Sequence, residues 1–288
     1  MTVDSEATEA RLERPRALIL TVYGAHGREV GGWIAVADLI TLIGELGVDE
    51  PAARSALSRL KRRGILDADR RGGAAGYSLS TGARQVFADG DRRIFGRRTA
   101  RLADGWVLAV FSIPESERQK RHALRSRLTW LGFGHVAAGV WVAPAHLAEE
   151  ARRTLERLEL TRYVDLFQAE YLAFGDVPCS VAAWWDLQSL KGMYDQFIAG
   201  YEPVLARWDD DDGDGGGEGA AFAEHTRALT AWRRMPYLDP GLPPEVLPSD
   251  WHGARAADLF FRLHERLGEA ALRHVRAVTR ASDDFRSR

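Results

Sequence analysis

From residue 15 onward, apolar and polar positions alternate at spacings that assign elements one after another. The stretch 15–25, PRALILTVYGA, is a strongly apolar helix candidate with Pro15 in its first turn. A glycine-rich break over 27–32 follows, and Trp33 and Ile34 form a short strand. A second helix is predicted over 36–46, with Leu39, Leu42, Ile43 and Leu46 on one face and Gly47 ending it. The stretch 49–64, DEPAARSALSRLKRRG, reads as a third helix with complete punctuation. Asp49 caps it, Glu50 complements the positive end of the dipole, Pro51 suits the first turn and Gly64 stops it. Ala53, Ala56, Leu57 and Leu60 fall at helical spacing and make its buried stripe. Beyond it, 65–71 and 77–80 read as two strands around a five-residue turn, GGAAG at 72–76, and 81–98 as an arginine-rich helix.

From Trp106 the pattern becomes strand, helix, strand, helix, strand. Residues 106–113, WVLAVFSI, are a buried-type strand, and 115–131 a long helix with Leu124, Leu128 and Leu131 inward. The outer face of that helix is basic: Arg118, Lys120, Arg121, Arg125 and Arg127. Strand material at 133–136 and 139–142, a helix over 145–158 and a last strand over 163–174 complete an order that fits a ferredoxin-like sheet with helices on one face. An amphipathic helix from Trp184 to Leu205 opens a third, helical region, with Leu187, Leu190, Tyr194, Phe197, Ile198 and Tyr201 as its apolar members. The acidic, glycine-rich run 209–219 is expected to be a disordered loop, and it lacks the spacing of a calcium loop. Helix resumes over 222–235, a proline-rich turn leads to Pro248, and helix closes the region over 254–279.

Composition narrows the classes. A chain of 288 residues with 45% hydrophobic and 28% charged residues is a multidomain globular protein. Its single cysteine, Cys179, excludes an intrachain disulfide framework and is expected to be a small buried hydrophobe. An acidic N-terminus (Asp4, Glu6, Glu9) is not a signal peptide, and no apolar run reaches the roughly 20 residues of a membrane helix, so a cytoplasmic location is expected. The net charge of −2 is unevenly spread: residues 51–98 hold twelve Arg/Lys against four Asp/Glu. Such a segment faces a polyanion.

The third helix supplies the chemistry for one. Arg54, Ser55, Ser58, Arg59, Lys61 and Arg62 lie off its apolar stripe, cationic or hydroxylic and none acidic. A helix about 10–12 Å across fits a major groove about 12 Å wide, where arginines reach phosphates or guanine edges. The same face also fits an ordinary solvated surface. The hairpin behind it, with Arg70 and Arg71 at its edge, turns the set into a winged helix-turn-helix whose wing touches backbone or minor groove. No catalytic signature accompanies it: there is no phosphate loop, dinucleotide fingerprint or nucleophile elbow, and His264-Glu265 lacks the second histidine of a zinc motif.

Three stretches together resemble the PaaX family: residues 15–95, the FSIPE at 111–115, and YLDPGLPPEVLPSDW at 237–251. These are bacterial transcriptional repressors of phenylacetate catabolism. The resemblance implies an α+β multidomain protein. Residues 15–98 would be a winged-helix DNA-binding domain with a connecting helix. Residues 104–176 would be a ferredoxin-like central domain similar to CRISPR-adaptation nucleases, read here as a dimerisation or spacer module. Residues 178–288 would be a helical domain sensing the effector. It further implies double-stranded operator DNA as partner, a homodimer, no resident cofactor or metal, and release from DNA by an aryl-CoA thioester, typically phenylacetyl-CoA. Trp184, Trp185, His225, Arg233, Arg234 and Trp251 offer flat apolar surface and cations for such a ligand, and equally an aromatic core with solvated arginines. Two alternatives remain: a metal-dependent nuclease on the central domain, and a DNA-binding regulator with no effector. Against the nuclease, Ser112 stands where the resemblance expects an acidic metal ligand at the end of the first central strand.

Overall fold

The computed structural model describes residues 15–96, 98–172, 174–210 and 216–286. The polar segment 1–14 and residues 211–215 of the acidic loop lie outside them. The chain gathers into two compact units, each assembled from separate stretches. The first comprises Met1–Arg92, Phe197–Trp232 and Arg255–Arg288; the second comprises Arg93–Gln196 and Arg233–Ala254. Residues 178–288, expected to be one helical domain, therefore contribute to both.

In the first unit, α1 (Pro15–Val22) continues into a wider turn, Tyr23–Gly27, and not a regular helix to residue 25. Gly27 permits this, because a Cβ there would lie 2.9 Å from the Tyr23 ring. Strand β1 (Trp33–Ala35), α2 (Val36–Glu45), α3 (Glu50–Arg62), β2 (Leu66–Arg71), β3 (Ala74–Leu79) and α4 (Thr81–Phe95) follow. The sheet order is β1-β3-β2, all antiparallel. The hairpin turn is shorter than the sequence suggests: Gly72 and Gly73 alone form it, both at positive φ, and 74–76 belong to β3. Gly76 is in the strand because the Trp33 ring lies across it, leaving 2.2 Å to where a Cβ would stand. Leu18, Ile19, Val22, Leu39, Leu42, Ile43, Leu57 and Leu60 make the core. Phe222, Ala271 and Val275 complete it from two later helices, α9 (Gly217–Trp232) and α11 (Gly253–Arg286). The buried Thr230 hydroxyl of α9 donates to the Thr21 hydroxyl of α1 at 2.7 Å.

The second unit holds β4 (Trp106–Phe111), α5 (Arg118–Trp130), β5 (Gly134–Ala137), β6 (Val140–Pro144), α6 (Ala148–Arg157) and β7 (Val164–Ala169). Its four strands are ordered β5-β6-β4-β7 with every neighbour antiparallel. Leu124 and Leu128 of α5 and Ala151 and Leu155 of α6 share a core with Val107, Ala109, Trp141 and Ala143 of the sheet. A second cluster joins Trp106 and Val142 to Val181, Trp185, Leu190, Leu242 and Val246.

The single long helix expected from Trp184 to Leu205 is two: α7 (Val177–Trp184) and α8 (Leu187–Asp210), with the unit boundary inside α8. Trp185 is extended between them, and Asp186 caps α8 by accepting from the Ser189 amide at 3.0 Å. Asp209, Asp210 and Gly217 to Gly219, expected in the acidic loop, are helical. Cys179 is exposed, not buried, because it sits in the first turn of α7, where its amide donates to Asp176. A four-residue helix, α10 (Met235–Leu238), precedes the proline-rich stretch.

Candidate nucleic-acid interface

Helix α3 is built as its sequence dictates. The Asp49 side chain accepts from the Ala52 amide at 2.7 Å, and Ala53, Ala56, Leu57 and Leu60 are buried. With 3.6 residues per turn, Ser55, Ser58 and Arg62 then point most directly away from the core. Arg54 and Lys61 flank them on one side and Arg59 on the other; all six are exposed.

Their electrostatic states differ. The Arg54 guanidinium is paired with Glu50 one turn earlier at 2.7 Å, which neutralises it locally. Arg59 donates to the Ser55 hydroxyl at 2.6 Å and keeps its charge. Lys61 and Arg62 meet no carboxylate among the described residues, and neither does Arg63, which ends the same basic run. Two small hydroxyls at the centre, with cations around them, let a helix backbone approach a phosphate-lined groove closely.

The hairpin edge is less purely basic than its sequence. Arg71 is held at 3.3 Å from Asp69 and stacks over the Trp33 ring at 5.4 Å. Arg70 is exposed, and its backbone amide donates to the Asp69 carboxylate. Trp33 is thus a positioning residue for Arg71. Its role was invisible in the sequence, because it depends on β1 pairing with β3 rather than on any local pattern.

Of the residues expected to hold an aryl-CoA ligand, five belong to the second unit and His225 to the first. Trp185 is buried, donates its indole N–H to the Gly132 carbonyl at 2.8 Å, and packs on Trp106. Trp184 meets Trp106 and Tyr171 edge-on at 6.1 and 5.0 Å. Trp251 packs on Tyr194. Arg233 is half-buried and Arg234 exposed. His225 belongs to the first unit, buried, with its Nε2 at 2.8 Å from His264 Nδ1. The second unit does carry a cavity of about 930 Å³ lined by Arg101, Leu102, Trp106, Tyr171, Val177 and Glu245. Trp184 touches two of its rings.

Three histidines scattered in the chain converge in the first unit. His26 lies 5.5 Å from His225, ring to ring, and His225 lies 5.1 Å from His264. Burial pushes His26 down to about 4 and His225 to about 3, with the neighbouring imidazoles adding to the effect; His264 is lowered by burial too. All three are therefore neutral at pH 7. Among the described residues no three His, Cys, Asp or Glu side chains gather as a metal site.

The proline-rich stretch is structural. Asp239, buried, accepts from the Tyr194 hydroxyl at 2.6 Å and from the Gly241 amide at 2.8 Å. Arg93, only 8% exposed, pairs with Glu150 at 2.9 Å and donates to the carbonyls of Leu131 and Pro236, both at 2.7 Å. At the end of β4, Ser112 is exposed, and Glu115 is held by Arg121 at 2.8 Å.

Three family models match consecutive parts of the chain. They are described as PaaX-like protein (residues 14–83), PaaX protein central Cas2-like domain (99–181) and PaaX-like protein C-terminal domain (185–277). The transcriptional repressor PaaX of Escherichia coli K12 is 28% identical over 265 residues, which cover 90% of this chain and 82% of that one. Among solved structures, the uncharacterized protein Rv0674 from Mycobacterium tuberculosis aligns with a TM-score of 0.57 and 22% identity, covering 93% of this chain and 99% of that one. That likeness is one of fold.

Proposed function

The chain belongs to the PaaX family, and from that premise we propose that it is a DNA-binding transcriptional repressor. The observation that carries this reading is the outward face of α3: two hydroxyls and a run of cations, none of its exposed members acidic after Glu50, with Lys61, Arg62 and Arg63 unpaired among the described residues. Three helices and a glycine-turned hairpin hold that face, as a winged helix-turn-helix requires. Arg70 and Arg71 would be the wing contacts. The strand order of the second unit, β5-β6-β4-β7, supports reading it as a ferredoxin-like sheet. We read it as the dimerisation module, so that two copies of α3 address half-sites whole helical turns apart. The family's aryl-CoA effector is the finer part of the proposal. The cavity beside Trp106 and Tyr171 offers rings for an aryl group and Arg101 near a phosphate, although Arg101 now pairs with Asp104 at 2.8 Å.

A regulator is favoured over a nuclease because the relative's name is that of a repressor and because Glu115 is already engaged by Arg121 beside Ser112. No helix among the described residues is long and apolar enough to cross a membrane. The deciding experiment is retention of promoter-region DNA from the chain's own gene neighbourhood, with and without phenylacetyl-CoA. Binding that the thioester abolishes is expected. Binding indifferent to CoA thioesters would remove the effector, and cleavage of the DNA in magnesium would replace the repressor by the nuclease.

A further inference from the structure

The second unit carries a basic surface of its own. Helix α5, RQKRHALRSRLTW, holds five Arg/Lys and no acid. Leu124 and Leu128 face the core, which places Arg118, His122, Arg125, Ser126 and Thr129 within about a third of the helix circumference on the outer side, all exposed. The remaining cations of α5 are engaged. Lys120 pairs with Glu117 at 2.8 Å, Arg121 with Glu115 at 2.8 Å, and Arg127 lies 5.2 Å over the Trp130 ring. Arg118 and Arg125 meet no carboxylate among the described residues.

Among the described residues the fold draws no ion pair from Arg118 or Arg125. Arg118, Lys120 and Arg121 sit in the first turn of α5, where the helix dipole disfavours cations. Like charges one turn apart, such as Arg121 and Arg125, repel. The neighbouring helix of the same sheet face shows the ordinary solution: on α6, Glu149 lies 3.9 Å from Arg152 and 3.5 Å from Arg153. One helix balances its charges internally and the other leaves two exposed cations open to an external anion. Arg118 and Arg125 are seven residues apart, about 10 Å along the axis, with the hydroxyls of Ser126 and Thr129 beyond Arg125. That spacing and chemistry match a row of backbone phosphates.

We propose that the outer face of α5, centred on Arg118 and Arg125, is a second surface that holds the phosphate backbone of duplex DNA. It rests on the reading of the chain as a DNA-binding regulator, and it adds sequence-independent contacts to those of α3. The test is the salt dependence of binding of the full chain to a long mixed-sequence duplex, read by fluorescence anisotropy. The Arg118→Ala/Arg125→Ala variant is expected to lower the slope of log K against log salt by about 1.8, so that the affinity lost between 50 and 200 mM salt shrinks about tenfold. Arg118→Lys/Arg125→Lys should keep the wild-type slope, and Arg152→Ala/Arg153→Ala on α6 should leave it unchanged. An unchanged slope in the α5 alanine variant, with a reduced slope in Lys61→Ala/Arg62→Ala, overturns the proposal and leaves the regulator reading standing. An equal fall in the α6 variant also overturns it, since only net charge would then matter. A wild-type chain that binds no duplex removes both.

Discussion

Glu50 is the most informative single residue on the proposed reading helix. It holds Arg54 at 2.7 Å, both side chains more than half exposed, so the pair stabilises α3 by only about 0.3–0.5 kcal/mol. Substituting Glu50→Gln removes the one carboxylate inside α3 at little cost to the fold, since Asp49 still caps the helix. If α3 lies against phosphates, Arg54 becomes available, and the salt slope should steepen by about 0.9 for one added contact. Over a fourfold range of salt that is about 3.5-fold in relative affinity. The converse variants bracket it. Arg62→Ala should flatten the slope by about 0.9, whereas Arg54→Ala, which removes an already paired cation, should change it least. Anisotropy titrations of promoter DNA between 50 and 200 mM salt measure all three. The reasoning is refuted if Glu50→Gln and Arg62→Ala both leave the slope at its wild-type value, or if Arg54→Ala flattens it more than Arg62→Ala does.

Other consequences concern the scaffold. His26 and His225 ionise less readily in the fold than in an unfolded chain, so the unfolded state takes up protons first as pH falls below about 6.5. Stability should be full above that value and decline as pH falls toward 4. His26 contributes about 3 kcal/mol of the loss, and urea melts of His26→Phe should show a flatter pH dependence. Arg93→Ala should destabilise by about 3 kcal/mol in urea melts, because it strands the Glu150 carboxylate and two carbonyls. Gly76→Val should lower the thermal midpoint, because its side chain must displace the Trp33 ring; the freed Arg71 should then weaken DNA binding in the same protein. In calorimetry, phenylacetyl-CoA should release heat with the wild-type chain and less with Tyr171→Ala, if the cavity beside Trp106 receives it.

Local rules were sufficient for much of the chain. The cap, proline, stripe and stop of α3 lie within sixteen consecutive residues, so their physics is readable in order, and the structure has the helix at Glu50–Arg62. The strand and helix order of the second unit followed from periodicity in the same way. What only the tertiary structure decided was anything joining residues far apart in sequence. Residues 178–288 look like one helical domain because each helix is amphipathic on its own. Yet Phe222, Ala271 and Val275 spend their apolar faces on the core that Leu18 and Leu42 begin, while Trp185 and Leu242 join Trp106. The three converging histidines show the same limit, since a lone histidine carries no periodic signal. So does the break at Trp185, whose indole N–H is bound to the distant carbonyl of Gly132. Periodicity identifies which face of an element must be buried; it does not identify the partner, because any apolar surface of matching shape satisfies the same hydrophobic demand.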